Sequence, residues 1–152
     1  MSRFTKVLVV SPLPDGKTWV TRRKFGYDIG AEGSGNSIDV PLKFMTDFAS
    51  VPRPLWVILP RWGKYGNAAV IHDYCYWEQG RSRLESDRIF REAMEVLKVP
   101  KWQIRVMYYA VRLGGGLAWA GNKRRKKKGW SKMAAVMPVK SVELPDSLRA
   151  KQ

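Results

Sequence analysis

The chain has 152 residues, of which 45% are apolar, so it is long enough for one folded domain and too hydrophobic to be disordered throughout. Its formal net charge of +15 favours partners that carry phosphate, either nucleic acid or anionic lipid. A single cysteine, Cys75, excludes an intramolecular disulfide, and no apolar run is long enough for a signal peptide or a membrane span, so we expect synthesis in the cytoplasm.

The first third of the chain is predicted to be mainly β-structure. Two β-prone segments, residues 6–10 and 18–27, flank the sequence SPLPDGK, whose proline, aspartate and glycine are typical of a turn. These segments therefore predict a hairpin. Residues 31–37 have loop composition, and the IDVPLKF that follows predicts a short strand that Pro41 restricts to an edge or an end.

A short helix is the most that the proline-rich segment DFASVPRPLWVILP allows, over residues 54–59. Asp47 or Ser50 would cap this helix. An alternative role for Ser50 is that of a nucleophile with His72 as its base, but no G-x-S-x-G elbow accompanies it. We therefore favour capping, and we keep Asp47 and Ser50 as an additional candidate site.

A longer helix is predicted over residues 65–79, entered after Gly63 and ended by Gly80. This segment, which contains AVIHDYCYW, is apolar on nearly every side. A helix of that kind is buried, so we expect His72 and Asp73 to lie in or beside the core.

The next helix begins at Ser82, because Ser82 and Glu85 have the spacing of a capping box. Its apolar face includes Phe90, and a step of three residues back along that face reaches Asp87. A buried carboxylate needs a hydrogen-bond donor on a neighbouring element. His72, on a helix joined to this one by a short connection and expected to run antiparallel to it, is the donor that we predict.

Such a pair has a chemical use. A carboxylate bonded to one ring nitrogen fixes the tautomer of His72 and leaves the other nitrogen able to take a proton from water or a hydroxyl group. Asp73, about 100° around the same helix, would be available to a hard cation such as calcium. The alternative is a structural clamp, in which the pair of His72 and Asp87 holds two helices together without any reaction.

The last predicted helix covers residues 102–113 and ends in three glycines, which we interpret as a flexible break. Beyond it lies a run of six basic residues that predicts an exposed arm for anionic lipid, nucleic acid or a partner protein: Lys123, Arg124, Arg125, Lys126, Lys127 and Lys128. The predicted organisation is a domain over residues 1–118 and a basic tail over 119–152, extended or ordered on a partner.

These elements predict an α+β fold. A β-hairpin or small antiparallel sheet comes first, a three-helix core with an antiparallel helix pair follows, and an extended basic tail ends the chain.

Three separated blocks resemble, in order and spacing, an uncharacterised family of small phage and prophage proteins known only as a domain of unknown function. The blocks are TDFASVPRPLW, WGKYGNAAVIHDYCYW, and SDRIFREAM with the WQIRVMYYAVRL that follows it. The resemblance covers about residues 46–113. It implies a phage or prophage origin. A protein of that origin is synthesised in the cytoplasm of the infected host, and incorporation into the virion is one of its possible fates.

The sequence HDYCY also looks like the His-Asp-x-Cys-Tyr helix of phospholipase A2 enzymes. That resemblance implies that His72 is the base that activates water, Asp73 a calcium ligand, Asp87 the carboxylate that orients the histidine, and Tyr76 a hydroxyl that steadies Asp87. This chain departs from that family in two respects. The glycine-rich calcium loop has no counterpart before His72, which puts the calcium in doubt, and a single cysteine cannot form that family's disulfides.

Three functions therefore stand as hypotheses. The first is a phage-encoded virion or accessory protein that carries a phospholipase A2-like site for phospholipid esters, a calcium-dependent lipid ester hydrolase in its strongest form. The second is a non-catalytic tail or capsid-associated assembly protein whose histidine and aspartate form a buried clamp. The third is nucleic-acid binding through the basic tail. The sequence leaves open whether the protein is an enzyme, and its oligomeric state.

Overall fold

The computed structural model describes residues 1–47 and 63–135, and it confirms the α+β class. Within these residues six short strands precede three helices: β1 (Arg3–Phe4), β2 (Val10–Pro12), β3 (Trp19–Thr21), β4 (Phe25–Asp28), β5 (Ser37–Val40), β6 (Met45–Thr46), α1 (Gly66–Glu78), α2 (Arg83–Val96) and α3 (Lys101–Lys127). The predicted helix over 54–59, Ser50 and the end of the predicted tail lie outside the described residues.

The strands form two antiparallel sheets, with orders β1-β4-β5 and β2-β3-β6. The predicted hairpin is the β2–β3 pair, whose turn is closed by Asp15, which accepts hydrogen bonds from the backbone of Lys17 and Thr18 at 2.9 and 2.8 Å. Its first strand lies at Val10–Pro12, so the prediction of residues 6–10 was displaced along the chain.

The segment 18–27 does not form one strand, as the sequence predicted, but two strands in different sheets. Three exposed basic residues separate β3 from β4: Arg22, Arg23 and Lys24. Because their charges stay in water, the chain leaves one sheet and enters the other at this point. The prediction for Pro41 is confirmed, since β5 ends at Val40.

Helices α1 and α2 form the predicted antiparallel pair. Tyr76, late in α1, contacts Asp87 of α2, whereas His72, one turn earlier in α1, packs on Phe90, later in α2. Ser82 caps α2 by accepting a hydrogen bond from the Glu85 backbone at 3.2 Å, as its spacing predicted. Both helices pack against a core that includes β4 and β5.

The end of α1 differs from the prediction in one detail. Gln79, not Gly80, takes the left-handed conformation, with φ of 60°. The Gln79 side chain donates a hydrogen bond to the backbone oxygen of Tyr76 within α1, at 3.2 Å, and another to that of Trp119 in α3, at 2.9 Å. The contact with α3 is a tertiary one, and it helps to hold a residue that has no intrinsic preference for this conformation.

Helix α3 is continuous from Lys101 to Lys127, so the predicted break at the three glycines was wrong, and the segment predicted to be extended from residue 119 is helical as far as Lys127. The second half of α3 packs on the end of α1, where Asn122 and Lys126 donate to the backbone oxygens of Tyr76 and Glu78 at 3.2 and 2.9 Å. The carbonyl groups in the last turn of a helix have no hydrogen-bond donor within that helix, and side chains of α3 donate to two such groups of α1.

The chain after α3 returns to the second sheet. The backbone nitrogen of Met45 donates to the oxygen of Lys132 at 2.7 Å, and that of Ala134 donates to Lys43 at 2.8 Å. Residues 132–134 therefore belong to the fold rather than to a detached tail. None of the helices in the described part of the chain has the length and apolar character needed to cross a membrane.

Candidate functional site

His72 lies at the centre of the α1–α2 contact and is only 1% exposed. Its ring packs against two aromatic rings, those of Tyr76 and Phe90, with centroids 4.2 and 4.6 Å away. Because α1 is buried on most sides, a polar residue on it must find its partners within the protein. The partners of His72 therefore determine what this side chain can do.

Asp87 is the partner that the sequence predicted. Its Oδ1 atom lies 2.8 Å from His72 Nε2 and accepts a hydrogen bond of 2.7 Å from the Tyr76 hydroxyl. The Asp87 side chain is fully buried. The predicted arrangement of His72, Asp87 and Tyr76 is thus present, with the carboxylate between a ring nitrogen and a phenol.

Two arginines complete the surroundings of Asp87. Arg112 of α3 donates to Oδ2 at 2.6 Å, and Arg83, one turn before Asp87 on α2, lies 3.6 Å from the same atom. Burial alone would raise the pKa of Asp87, but hydrogen bonds from His72, Tyr76 and Arg112 outweigh it and lower the pKa below its usual value of 3.8. Asp87 is therefore a carboxylate at neutral pH.

An ionised Asp87 fixes the tautomer of His72. The carboxylate can only accept at Nε2, so Nε2 carries a proton, and in the neutral ring the lone pair is then on Nδ1. In the described part of the chain, His72 Nδ1 is the one buried side-chain nitrogen or oxygen that has no hydrogen-bond partner. A buried polar atom without a partner is costly, so it needs an explanation, and a catalytic role is one such explanation.

His72 lines a cavity of about 410 Å³ between α1 and α3. Its walls include Asp73 and Tyr76 from α1 and the glycine segment of α3, and Asp47, after β6, also contributes. Asp47, a candidate from the sequence, therefore shares a cavity with His72. A buried histidine that lines a cavity of this size makes the cavity a candidate functional site.

Asp73 is held in place by Thr46, whose hydroxyl donates to Asp73 Oδ2, and it is 5% exposed. Two cations, Arg125 and Lys132, line the same cavity as the carboxylates of Asp47 and Asp73. Across residues 1–47 and 63–135, no three His, Cys, Asp or Glu side chains come close enough together to hold a metal ion. Calcium takes six to eight oxygen ligands, and the carboxylates that line this cavity within the described residues are those of Asp47 and Asp73.

The basic run occupies the last turns of α3, with Lys128 as the capping residue, and its side chains are exposed. Of these six residues, Arg125 alone lines the His72 cavity, while Lys126 lies on Trp77, with 5.9 Å between its ammonium nitrogen and the ring centroid. The run is therefore exposed, as the sequence predicted, but it forms the end of a helix.

Cys75 follows the Asp73–Tyr74 pair but is not a nucleophile of this site. It is buried in the core, and burial raises the pKa of its thiol to about 12. A thiol that stays protonated at neutral pH does not attack an electrophile.

Gly115 is a site residue that the sequence analysis misread. A methyl group at this position would overlap the hydroxyl of Tyr76, whereas the flanking Gly114 and Gly116 have no atoms near the corresponding point. The absence of a side chain at Gly115 thus lets α3 approach the phenol that holds Asp87. A glycine inside a helix often marks such a close approach, but sequence alone does not show which of three glycines it is.

Gly115→Ala is expected to lower the free energy of unfolding by about 1–3 kcal/mol, because the added methyl group forces Tyr76 away from Asp87. Gly116→Ala is the matched control, and it is expected to raise the free energy of unfolding by about 0.5–1 kcal/mol, since alanine favours an exposed helix. Urea unfolding of both variants measures the difference. Similar effects of the two substitutions would contradict the close contact.

Two further residues escaped the sequence analysis. Arg83 lies four residues before Asp87, a helical spacing for ion pairs that was available in the sequence. Arg112 had no such signal, because its contact with Asp87 depends on how α3 crosses α2. Ser50 lies outside the described residues.

Comparison with known proteins gives a family match over residues 19–111, to proteins described as "Protein of unknown function (DUF1353)". The chain is also 34% identical over 93 residues to an uncharacterized protein, y4jT, of Sinorhizobium fredii (strain NBRC 101917 / NGR234). That alignment covers 60% of this chain and 27% of the relative, so the chain corresponds to about a quarter of that protein's length. No solved structure matches the chain.

Proposed function

We propose that this chain, which belongs to the DUF1353 family of proteins of unknown function, is a hydrolase that uses His72 as a general base. The observation that carries the proposal is the unpartnered Nδ1 atom of a buried histidine that lines a cavity. A clamp needs only one nitrogen of the ring, and Asp87 already takes Nε2. Burying the second nitrogen without a partner costs free energy, and a role for this atom in a reaction explains why it is left without one.

The reaction that fits these groups is ester hydrolysis by water. Nδ1 accepts a proton from a water molecule while the water oxygen attacks the ester carbonyl carbon, which gives a tetrahedral intermediate and an imidazolium. The Asp87 carboxylate stabilises the imidazolium at Nε2. When the intermediate collapses, the carbon–oxygen bond to the alcohol breaks and Nδ1 returns its proton to the leaving oxygen, so that a carboxylic acid and an alcohol are released.

Phospholipid esters are the substrate class that we assign. The cavity has uncharged surface from Val111, Leu117 and Ala118, which suits an acyl chain. It also has two cations, Arg125 and Lys132, which suit a phosphate and share the cavity with the carboxylates of Asp47 and Asp73. The likeness of HDYCY to the helix of phospholipase A2 enzymes supports the same class, with His72, Asp87 and Tyr76 in corresponding roles. A phage or prophage origin and a virion or accessory role belong to this proposal and rest on the sequence blocks described above.

We route no step through calcium. The resemblance to phospholipase A2 enzymes implies a calcium ligand at Asp73 and nothing further about the metal. Here Arg125 and Lys132 are the positive groups that line the cavity, and we assign to them the stabilisation of the negative charge that develops on the carbonyl oxygen. We therefore expect hydrolysis to continue in the presence of a calcium chelator.

A non-catalytic clamp is the alternative that one observation favours. Asp87 joins α1, α2 and α3 through His72, Tyr76 and Arg112, which is the arrangement expected if the pair serves assembly of the fold in a virion protein. The two roles predict different results for a substitution that removes Nδ1 and keeps the hydrogen bond at Nε2. A hydrolase loses its activity, whereas a clamp has no activity to lose.

The test of the proposed function is fatty-acid release from vesicles of phosphatidylglycerol by the full chain, measured with calcium and with a chelator. We expect release under both conditions. Release that requires calcium would contradict the role given to Arg125 and Lys132. No release under either condition, from vesicles to which the protein is shown to bind, would contradict the hydrolase and leave the clamp.

A further inference from the structure

A stripe of exposed apolar side chains runs along the outside of α3. Its members follow one another at intervals of three or four residues, which places them on one face of the helix, and we call them the outer α3 face: Trp102, Val106, Tyr109, Leu113 and Leu117. Leu113 and Leu117 are 89% and 83% exposed. Aliphatic side chains exposed to this extent in a row are unusual on a protein surface and indicate an interaction site.

The outer α3 face is distinct from the face that builds the core. Ile104, Met107, Val111 and Gly115 lie on the opposite side of the helix and are buried against the rest of the fold. Helix α3 thus has two apolar faces, of which one is needed for folding. Folding of the described residues gives no reason for the second face.

The positive charge of α3 indicates that the partner of this face is anionic. None of the residues of α3 is acidic and eight are lysine or arginine, of which Arg112 is paired with Asp87 and seven remain: Lys101, Arg105, Lys123, Arg124, Arg125, Lys126 and Lys127. An interfacial helix that combines aromatic and aliphatic side chains with basic ones lies at the headgroup boundary of an anionic bilayer. A second copy of the chain fits this face poorly, because it would bring two strongly basic helices together.

The position of the stripe links it to the cavity. Leu117, the last residue of the outer α3 face, is also part of the lining of the His72 cavity, and Arg125 lines that cavity two turns further along α3. A surface that holds α3 against a bilayer therefore places the cavity beside the lipids.

We propose that the outer α3 face binds anionic phospholipid bilayers and presents lipid to the His72 cavity. The binding of the bilayer stands on the exposed face and the charge of α3 alone, whereas the presentation of lipid for hydrolysis rests on the proposed function. The bound species is the bilayer surface, with its anionic headgroups against the basic residues and its acyl region against the apolar stripe.

The experiment measures the flotation of the full chain with vesicles of equimolar phosphatidylglycerol and phosphatidylcholine. The variant Tyr109→Gln/Leu113→Gln removes apolar surface from the middle of the stripe with residues that keep helix propensity, and neither residue lines the His72 cavity. Val7→Gln, on the β-sheet side of the chain and 78% exposed, is the matched control. We expect the double variant to reduce vesicle partitioning at least about tenfold and the control to leave it unchanged.

Partitioning of the double variant equal to that of the parent would overturn the proposal, as would an equal loss for Val7→Gln. Binding of the parent to double-stranded DNA or to a protein partner, without binding to vesicles, would overturn it too and assign the face to that partner class. A parallel assay of fatty-acid release from a dispersed short-chain phospholipid separates the two claims. If vesicle binding depends on the outer α3 face but no fatty acid is released from any substrate, the bilayer-binding surface is supported and the proposed hydrolase activity is contradicted.

Discussion

Asp87→Ala is expected to lower the free energy of unfolding by about 3–5 kcal/mol at neutral pH. The carboxylate accepts from His72, Tyr76 and Arg112 at 2.8, 2.7 and 2.6 Å. Its removal leaves a ring nitrogen and a phenol without their acceptor inside the protein, and it leaves an arginine without its counter-ion. The loss therefore comes from three unpaired groups rather than from one contact.

Glu95→Ala is the matched control, because Glu95 is also a carboxylate of α2 that pairs with an arginine, Arg91, at 3.2 Å. Both members of that pair are more than half exposed, so its loss is expected to cost no more than about 1 kcal/mol. Urea unfolding at neutral pH measures both variants. Comparable losses would show that Asp87 does not have the buried role described above.

The same comparison in acid has a defined sign. Because the folded protein lowers the pKa of Asp87 below 3.8, the stabilisation by the carboxylate is complete above the unfolded value and is lost as the pH falls through the lower, folded value. The difference in stability between the parent and Asp87→Ala should therefore be constant at neutral pH and shrink in strong acid. A difference that grows in acid would contradict this account.

The pairing of His72 with Asp87 could be predicted from sequence because its causes are local. The two residues lie fifteen positions apart on consecutive helices, and the apolar spacing of α2 placed Asp87 on the buried face. A buried carboxylate requires a donor, and the chain contains a single histidine. The fold class followed from similar reasoning, since β-prone segments precede the helical ones.

The contribution of α3 could not be predicted in the same way. Three consecutive glycines are a helix-breaking signal, and the contacts that override it join residues far apart in sequence, such as Tyr76 with Asn122. Arg112 reaches Asp87, and Gly115 admits Tyr76, through the same packing of α3 on the helix pair. The strand positions shifted for a related reason, because the pairing of two small sheets fixes their register.

The central claim is that His72 Nδ1 takes a proton during hydrolysis, and His72→Gln isolates that atom. A glutamine amide nitrogen can reach about the position of His72 Nε2 and donate to Asp87, but glutamine has no basic nitrogen in place of Nδ1. The variant thus keeps the bond on which a clamp depends and removes the base. His72→Asn is the useful contrast, because its shorter side chain does not extend to the Nε2 position.

The decisive measurement is the initial rate of fatty-acid release from phosphatidylglycerol vesicles by the parent and by His72→Gln, compared at equal folded fraction. General-base catalysis contributes about 10²- to 10⁴-fold to a rate, so we expect a loss of that size with the variant still folded at the assay temperature. Release by folded His72→Gln at the rate of the parent would contradict the assignment of Nδ1 as the base and return the pair of His72 and Asp87 to a purely structural role.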